Sequence, residues 1–185
     1  MIIGLTGRIA SGKEAVSRFF IEKGFKHFFV SKELREELEK RGMEISRKNL
    51  QDLGDELRAK EGNGFLAKRM LEKLDSGNFV IDGIRNPGEV DEFRKEKNFV
   101  LIAIDAPQKI RYERSIYRSK TSDAKTWEEF LKMDERDLGE EIESGQQVGK
   151  CMAMADFKIY NDSDLDALNI KIKEIFEKIK NEENN

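Results

Sequence analysis

Short apolar runs alternate with longer amphipathic stretches along the chain. Each run has the length of one strand, and each following stretch repeats its apolar positions with a helical period. The five runs are Ile2–Leu5, Phe25–Val30, Phe79–Ile81, Phe99–Ile104 and Phe157–Tyr160. Because buried strands that alternate with helices are typical of a parallel sheet covered on both faces, the pattern predicts a three-layer α/β fold.

The amphipathic stretches predict helices between the strands and after the last one. Ser31, Ser46 and Thr126 each stand where a side-chain oxygen can cap the first turn of a helix. The predicted helices cover residues 13–23, 31–41, 46–60, 64–74, 87–97, 107–120, 126–131, 145–154 and 165–180.

Two helical insertions interrupt the regular succession of strands and helices. One covers residues 31–75, after the second strand, and the other covers residues 107–139, after the fourth. We find no internal repeat and no Pro/Ser-rich linker, so residues 1–185 are predicted to form a single domain. The insertions are candidates for mobile lobes over a cleft.

The composition narrows the class of protein. The 185 residues are 38% hydrophobic and 38% charged, with a net charge of -3, which does not favour a nucleic-acid binder. The single cysteine, Cys151, cannot form an internal disulfide, so we expect a reducing, cytoplasmic location. The apolar start, Met1–Leu5, is too short for a signal peptide, and no apolar run reaches the length of a membrane span. The oligomeric state stays open.

A glycine-rich loop between the first strand and the first helix carries the clearest chemical signal. Residues 7–14 read G-R-I-A-S-G-K-E and match the G-x4-G-K pattern of the Walker A phosphate loop. Glycines let successive N–H groups point at phosphate oxygens, and the following helix favours the same anion. The pattern predicts that ATP or GTP, with Mg²⁺, binds at Gly7, Arg8, Ile9, Ala10, Ser11, Gly12, Lys13 and Glu14.

Glu14 departs from the usual Walker A pattern. The residue after the lysine is commonly Ser or Thr, whose hydroxyl binds Mg²⁺. A carboxylate at this position has three possible roles: it binds the metal, it repels the phosphates, or it faces solvent and matches the dipole of the helix.

These motifs resemble those of the nucleoside monophosphate kinase superfamily, which includes adenylate kinases, dephospho-CoA kinases and archaeal dephospho-CoA kinase-like proteins. The resemblance extends over nearly the whole chain, and adenylate kinases likewise lack a hydroxyl residue after the lysine. Besides the Walker loop, the matching segments are Ser31–Arg35, Asp82–Arg85, Glu113–Arg118, Asp134–Asp137 and Ala155–Asn161. The resemblance implies a sheet in the order 2-3-1-4-5, an acceptor-binding insertion at 31–75 and a lid at 107–139.

The resemblance also assigns residues to the acceptor. It implies that Ser31, Arg35 and Arg85 contact the phosphate of the acceptor. Asp82 ends the third strand, and ligands of parallel sheets bind beyond the carboxyl ends of the strands. Asp82 is therefore a candidate to hold Mg²⁺ through water or to orient the acceptor, with capping of the Asp-Gly turn as the structural alternative.

Further arginines are candidates for the donor side and the lid. Arg111, Arg114 and Arg118 fall on one face of a helix, which is typical either of phosphate binding or of a solvated basic face. The resemblance implies that Arg114 lies on the nucleotide base and that Arg118 contacts phosphate. Arg136 is a second lid candidate. The proposed catalytic residues are Lys13, Asp82, Arg118 and Arg136.

We therefore expect a kinase that transfers a phosphoryl group from ATP or GTP to a nucleoside monophosphate or another small phosphorylated metabolite. Dephospho-CoA is the alternative acceptor, and Asp82 would then act as a base on its ribose hydroxyl. The alternative function that is not enzymatic is a nucleotide-binding regulatory module, in which Glu14 has abolished efficient phosphoryl transfer.

Overall fold

A computed structural model of the protein describes residues 1–118, 124–139 and 145–183. Within these ranges five strands form one parallel sheet in the order β2-β3-β1-β4-β5. The strands are β1 (Ile2–Gly7), β2 (Lys26–Phe29), β3 (Phe79–Asp82), β4 (Phe99–Asp105) and β5 (Phe157–Tyr160). The fold class and the strand order are those expected from the sequence.

Helices follow every strand of the sheet. They are α1 (Lys13–Glu22), α2 (Ser31–Lys40), α3 (Arg47–Glu61), α4 (Phe65–Leu71), α5 (Pro87–Phe93), α6 (Gln108–Arg118), α7 (Trp127–Leu138), α8 (Val148–Ala153) and α9 (Leu165–Glu183). The region 31–75 contains α2, α3 and α4. The region 107–139 contains α6 and α7, and the predicted end of the first of these helices, at residue 120, lies outside the described residues.

The core lies on both faces of the sheet. Successive residues of a strand point to opposite faces, and accordingly Ile2 joins one apolar cluster while Ile3 joins the other. Helices α1 and α9 supply the apolar side chains over one face, and α2, α3, α4, α5 and α8 supply those over the opposite face. The arrangement confirms the three layers predicted from the hydrophobic pattern.

Two of the three predicted caps are confirmed. The hydroxyl of Ser46 accepts a hydrogen bond from the Asn49 N–H, and that of Thr126 accepts one from the Glu129 N–H. The predicted cap at Ser31 is wrong, because the preceding residue Val30 already has helical angles, with φ -56° and ψ -37°. Ser31 lies inside the first turn of α2, which places it at the wall of a cleft.

The parallel sheet brings its carboxyl strand ends to one edge. Leu5 of β1 pairs with Asp82 of β3 on one side and with Ile102 of β4 on the other. Asp82 and the residue that follows β5, Asn161, consequently line the same cleft. None of the described helices combines the length and the apolar surface that a membrane crossing demands.

Candidate functional site

The phosphate loop connects β1 to α1 through two positions that require glycine. Gly7 and Gly12 have φ angles of 143° and 109°, which L side chains rarely adopt. A Cβ atom at Gly7 would lie 2.0 Å from the carbonyl oxygen of Ile104, and one at Gly12 would lie 2.3 Å from Nδ2 of Asn161. The first N–H groups of a helix have no partner within it, so the start of α1 can donate to an anion.

The side chain of Lys13 folds back over the loop. Its ammonium group donates hydrogen bonds to the carbonyl oxygens of Gly7 (2.7 Å) and Arg8 (2.9 Å). Burial lowers the pKa of Lys13 to about 8, although the nearby carboxylate of Asp82 acts in the opposite direction. The ammonium is thus held at the loop as a charge that phosphate can capture.

The affinity for an ATP analogue should fall as the pH rises through about 8, where Lys13 of the free protein loses its proton. Phosphate favours the charged lysine, so above this pH binding must also take up a proton. We expect a loss approaching about tenfold per pH unit, measured by isothermal titration with a non-hydrolysable analogue between about pH 7 and 9.5. Lys13→Arg should give a flat profile because guanidinium stays charged, and a flat wild-type profile would contradict the role of Lys13.

One cleft of about 820 Å³ lies over the loop and the strand ends. Of the predicted loop residues, Ile9, Ala10, Ser11, Gly12, Lys13 and Glu14 line it, whereas Gly7 and Arg8 do not. Among the described residues the lining includes three acidic side chains, Glu14, Asp82 and Asp164, and eight basic ones: Lys13, Arg18, Lys32, Arg35, Arg47, Arg85, Arg114 and Arg118. This excess of positive charge suits a ligand that carries several negative charges.

The residues assigned to the acceptor lie together in this cleft. Ser31 and Arg35, on the first turns of α2, and Arg85, after β3, all contribute to its lining. Arg85 donates hydrogen bonds to Asp137 (2.9 Å) and to Oε1 of Gln146 (3.4 Å). Their grouping is compatible with the predicted acceptor site, and their individual roles remain predictions.

Asp82 lies at the bottom of the cleft, at the end of β3. It is 8% exposed and lines the cleft together with Lys13. Its charge raises the pKa of Lys13 against the effect of burial, so the two groups are close enough to interact. A carboxylate at this point can hold a hydrated cation or accept a proton from an acceptor hydroxyl.

The three arginines of α6 do not share one environment. Arg114 and Arg118 line the cleft, but Arg111 is fully buried. Its guanidinium donates to both carboxylate oxygens of Asp134, at 2.5 and 2.8 Å, and to the carbonyl oxygen of Ile9 at 3.3 Å. Neither alternative for the shared face, phosphate binding or a solvated basic face, holds for Arg111, which instead connects Asp134 to the backbone of the phosphate loop.

Arg136 lies apart from the cleft. Its guanidinium donates to Asp52 (2.6 Å) and Asp55 (3.3 Å) on α3, and 41% of its side chain is exposed. Its neighbours on α7, Asp134 and Asp137, are both buried. The structure thus does not bring Arg136 together with Lys13, Asp82 and Arg118, the other predicted catalytic residues.

Glu14 is exposed and lines the cleft. Among its three predicted roles, we favour dipole matching at the start of α1. Replacing it by alanine or threonine should then change activity and the metal requirement by less than about fivefold, since such interactions contribute about 0.3–1 kcal/mol. A Mg²⁺ titration of activity tests this. A much higher metal requirement of Glu14→Ala would indicate ligation, and tighter ATP binding by both variants would indicate repulsion.

Arg47 is a cleft residue that the sequence analysis did not identify. It is the first residue of α3, lines the cleft beside Arg85, and forms an ion pair with Asp137. A positive charge at the start of a helix opposes the helix dipole. This local conflict is the signal that could have marked Arg47, since violations of local rules concentrate at functional sites.

Asn161 ends one of the segments that resemble nucleoside monophosphate kinases, but the resemblance assigned no function to this residue. Its Nδ2 donates 2.8 Å to the carbonyl oxygen of Ser11, and Arg114 donates to its backbone oxygen (3.2 Å) and to Oδ1 (3.4 Å). Asn161 therefore ties the phosphate loop to Arg114. Its position directly beyond the carboxyl end of β5 is the signal that could have identified it.

Comparison with known proteins agrees with this geometry. Residues 3–143 match the family model described as AAA domain. The chain is 36% identical to a UPF0200 protein of Sulfurisphaera tokodaii, over 96% of this chain and 97% of that protein. It is 35% identical to a UPF0200 protein of Pyrococcus horikoshii, over 97% of each. Among solved structures, shikimate kinase from Acinetobacter baumannii in complex with shikimate superposes with a TM-score of 0.59 and 14% identity, covering 95% of this chain and 92% of that one, a likeness of fold.

Proposed function

This chain belongs to the UPF0200 family and to the AAA-domain group of P-loop proteins, and we propose that it is a small-molecule kinase. In this proposal ATP or GTP donates a phosphoryl group to a nucleoside monophosphate or a related phosphorylated metabolite. The observation that carries the proposal is a basic cleft in which the phosphate loop forms one wall and Ser31, Arg35 and Arg85 form another. A donor phosphate and an acceptor phosphate can be accommodated in the same space.

The arrangement matches what phosphoryl transfer requires. The protein must align two reactants and compensate the charge of the transferred group, with little covalent chemistry of its own. Lys13 and the start of α1 would bind the donor phosphates, Arg114 and Arg118 would approach them from α6, and Arg35 and Arg85 would orient the acceptor. Each of these groups donates hydrogen bonds, and the side chains among them carry positive charge, so together they stabilise the negative charge that develops on the transferred phosphoryl group.

The site also fits a magnesium nucleotide. Within the described part of the chain, no group of three or more His, Cys, Asp or Glu side chains could hold a metal ion alone. Mg²⁺ typically keeps several waters and takes its other ligands from one or two carboxylates and from substrate phosphates. Asp82, and alternatively Glu14, would hold it at the cleft. When bound, the ion neutralises charge on the phosphate oxygens.

An acceptor screen tests the proposal. The protein is incubated with Mg²⁺ and with ATP or GTP, each nucleoside monophosphate and dephospho-CoA are offered separately, and diphosphate or CoA formation is measured. A diphosphate formed from the acceptor monophosphate supports the proposal, whereas CoA would identify the dephospho-CoA alternative, with Asp82 as base. Slow hydrolysis with no acceptor would favour a nucleotide-binding regulatory module.

Arg35→Ala and Arg85→Ala should impair acceptor use far more than donor binding. Each removes a charge-assisted phosphate contact of about 1.5–3 kcal/mol, so we expect the KM for the acceptor to rise about ten- to a hundredfold. Acceptor kinetics and titration with an ATP analogue separate the two effects. Arg94→Ala is a matched control, because Arg94 lies outside the cleft lining and pairs with Asp156. Loss of ATP affinity with unchanged acceptor KM would reverse the assignment.

A further inference from the structure

The carboxylate of Asp137 lies between two arginines of the cleft. Its Oδ2 accepts hydrogen bonds from Arg47 and, at 2.9 Å, from Arg85. Its Oδ1 accepts one from Nε2 of Gln51 at 2.8 Å. The side chain of Asp137 is 2% exposed, while those of Arg47 and Arg85 are 15% and 24% exposed. The carboxylate is thus enclosed behind the two guanidinium groups, which both reach the cleft.

The charges of this cluster do not cancel. Burial alone would raise the pKa of Asp137, but Arg47 and Arg85 outweigh it and hold the pKa below its ordinary value. Two cations therefore share one ionised carboxylate, and the three groups together carry a net positive charge. The side chain of Arg35 adds a further positive charge on the same wall of the cleft. Such a surplus, on side chains already held in place, is what a phosphate group requires.

The cluster marks one end of the cleft. A smaller cavity of about 70 Å³ adjoins the main one, and both are lined by Ser31, Arg35, Arg47, Gly83 and Arg85. Beyond these shared residues the lining of the smaller cavity is mixed: four apolar side chains (Val30, Leu34, Leu50 and Leu66) and three polar ones (Gln51, Arg58 and Gln146). The phosphate loop contributes to the main cavity but not to the smaller one. An anion held by Arg47 and Arg85 would thus bind apart from the donor phosphates.

We propose that Arg47 is a further ligand of the acceptor phosphate, and that Asp137 is a positioning residue that holds Arg47 and Arg85 together as one anion site. The proposal rests on the kinase function proposed above, and it adds a residue from α3 and its anchor on α7. Without Asp137 two neighbouring guanidinium groups would repel each other, and each long side chain would regain rotamers that point away from the cleft.

Helix α7 offers a matched control for Asp137. Asp134 lies one turn earlier on the same helix, is equally buried, and forms its own ion pair with Arg111. Arg111 in turn donates to the carbonyl oxygen of Ile9 in the phosphate loop. The same substitution therefore removes one buried carboxylate charge from the same helix in both cases, beside the acceptor arginines at Asp137 and beside the arginine that contacts the phosphate loop at Asp134.

The test uses inorganic phosphate as the probe of the anion site formed by Arg47 and Arg85. The full chain is first saturated with Mg²⁺ and a non-hydrolysable ATP analogue, so that the phosphate loop is occupied, and phosphate is then titrated calorimetrically. We expect wild type to bind it, and Arg47→Gln and Asp137→Asn each to bind it about ten- to a hundredfold more weakly, with ATP-analogue affinity kept within about twofold. The double variant should bind phosphate more weakly than Arg47→Gln, but by less than the two single losses combined, because Asp137 acts partly through Arg47 and partly through Arg85. Asp134→Asn should show the opposite selectivity, with weaker analogue binding and unchanged phosphate binding.

Several outcomes would overturn the proposal. It fails if wild type saturated with the analogue does not bind phosphate, or if Arg47→Gln binds phosphate as tightly as wild type. It also fails if Asp137→Asn and Asp134→Asn lose phosphate affinity equally, because equal losses would indicate a general disturbance of α7. If Asp137→Asn lacks a cooperative thermal transition, Arg47→Gln decides, since it leaves Asp137 bonded to Arg85 and Gln51. The kinase proposal is judged separately: phosphate binding without a product in the acceptor screen would refute the kinase and leave the anion site.

Discussion

Replacing Lys13 by alanine should abolish phosphoryl transfer and weaken triphosphate binding while the fold survives. Lys13 supplies an ammonium group at the phosphate loop, and among the described residues this group donates hydrogen bonds to two loop carbonyls, those of Gly7 and Arg8. Loss of one charge-assisted contact should weaken donor binding about ten- to a hundredfold. Turnover should fall by a further factor of about 10²–10³, because the same charge stabilises the transferring group. Isothermal titration with a non-hydrolysable ATP analogue and steady-state kinetics measure the two effects.

The thermal unfolding midpoint is the control for the fold. Burial disfavours the charged form of Lys13, as its lowered pKa shows, so removing the side chain also removes a cost of folding. The loop keeps the hydrogen bond from Asn161 to Ser11 and that from Arg111 to Ile9. Lys23→Ala, at the exposed far end of α1, makes the same change in net charge and should leave binding intact. Unchanged ATP affinity of Lys13→Ala would refute the phosphate-loop assignment.

The secondary structure could be predicted because its determinants are local. Apolar runs of strand length and amphipathic stretches of helix period mark the elements in the sequence itself. The strand order is different, since it depends on which crossovers the chain makes, and it came from the resemblance to nucleoside monophosphate kinases. The single wrong cap, at Ser31, shows the limit of local reasoning: the chain enters α2 one residue early, and the serine points to the cleft instead.

The arginines could not be sorted from helical spacing alone. Arg111 and Arg114 lie on neighbouring turns of α6, but a buried carboxylate, Asp134, comes from α7 and captures Arg111. Likewise Arg136 is exposed while Asp137 next to it is buried. Which residue is buried is decided by the packing of α7 on α3 and on the phosphate loop. That tertiary arrangement has no signal in the spacing of charges along one helix.

Asp82 connects the geometry of the sheet to the chemistry. It ends β3, pairs in register with Leu5 of the neighbouring β1, and its charge acts on Lys13. Asp105 ends β4, the strand on the other side of β1, but its carboxylate accepts a hydrogen bond from the Ala106 N–H and does not line the cleft. Both aspartates end strands that pair with β1, and of the two only Asp82 lines the cleft.

Asp82→Asn should lower kcat by a factor of about 10²–10⁴, the range for loss of a positioned acid or base, whereas Asp105→Asn should retain most activity. Amide and carboxylate have nearly the same shape, so we expect similar unfolding midpoints for Asp82→Asn and wild type. A Mg²⁺ titration then distinguishes the two proposed roles. If Asp82 holds the hydrated ion, high Mg²⁺ should restore part of the activity, because the lost ligand weakens binding of the metal. If Asp82 takes the proton of an acceptor hydroxyl, added metal should restore nothing. A kcat within about tenfold of wild type would contradict both roles and leave Asp82 the structural task of closing the turn at Gly83, a position with a φ of 92°.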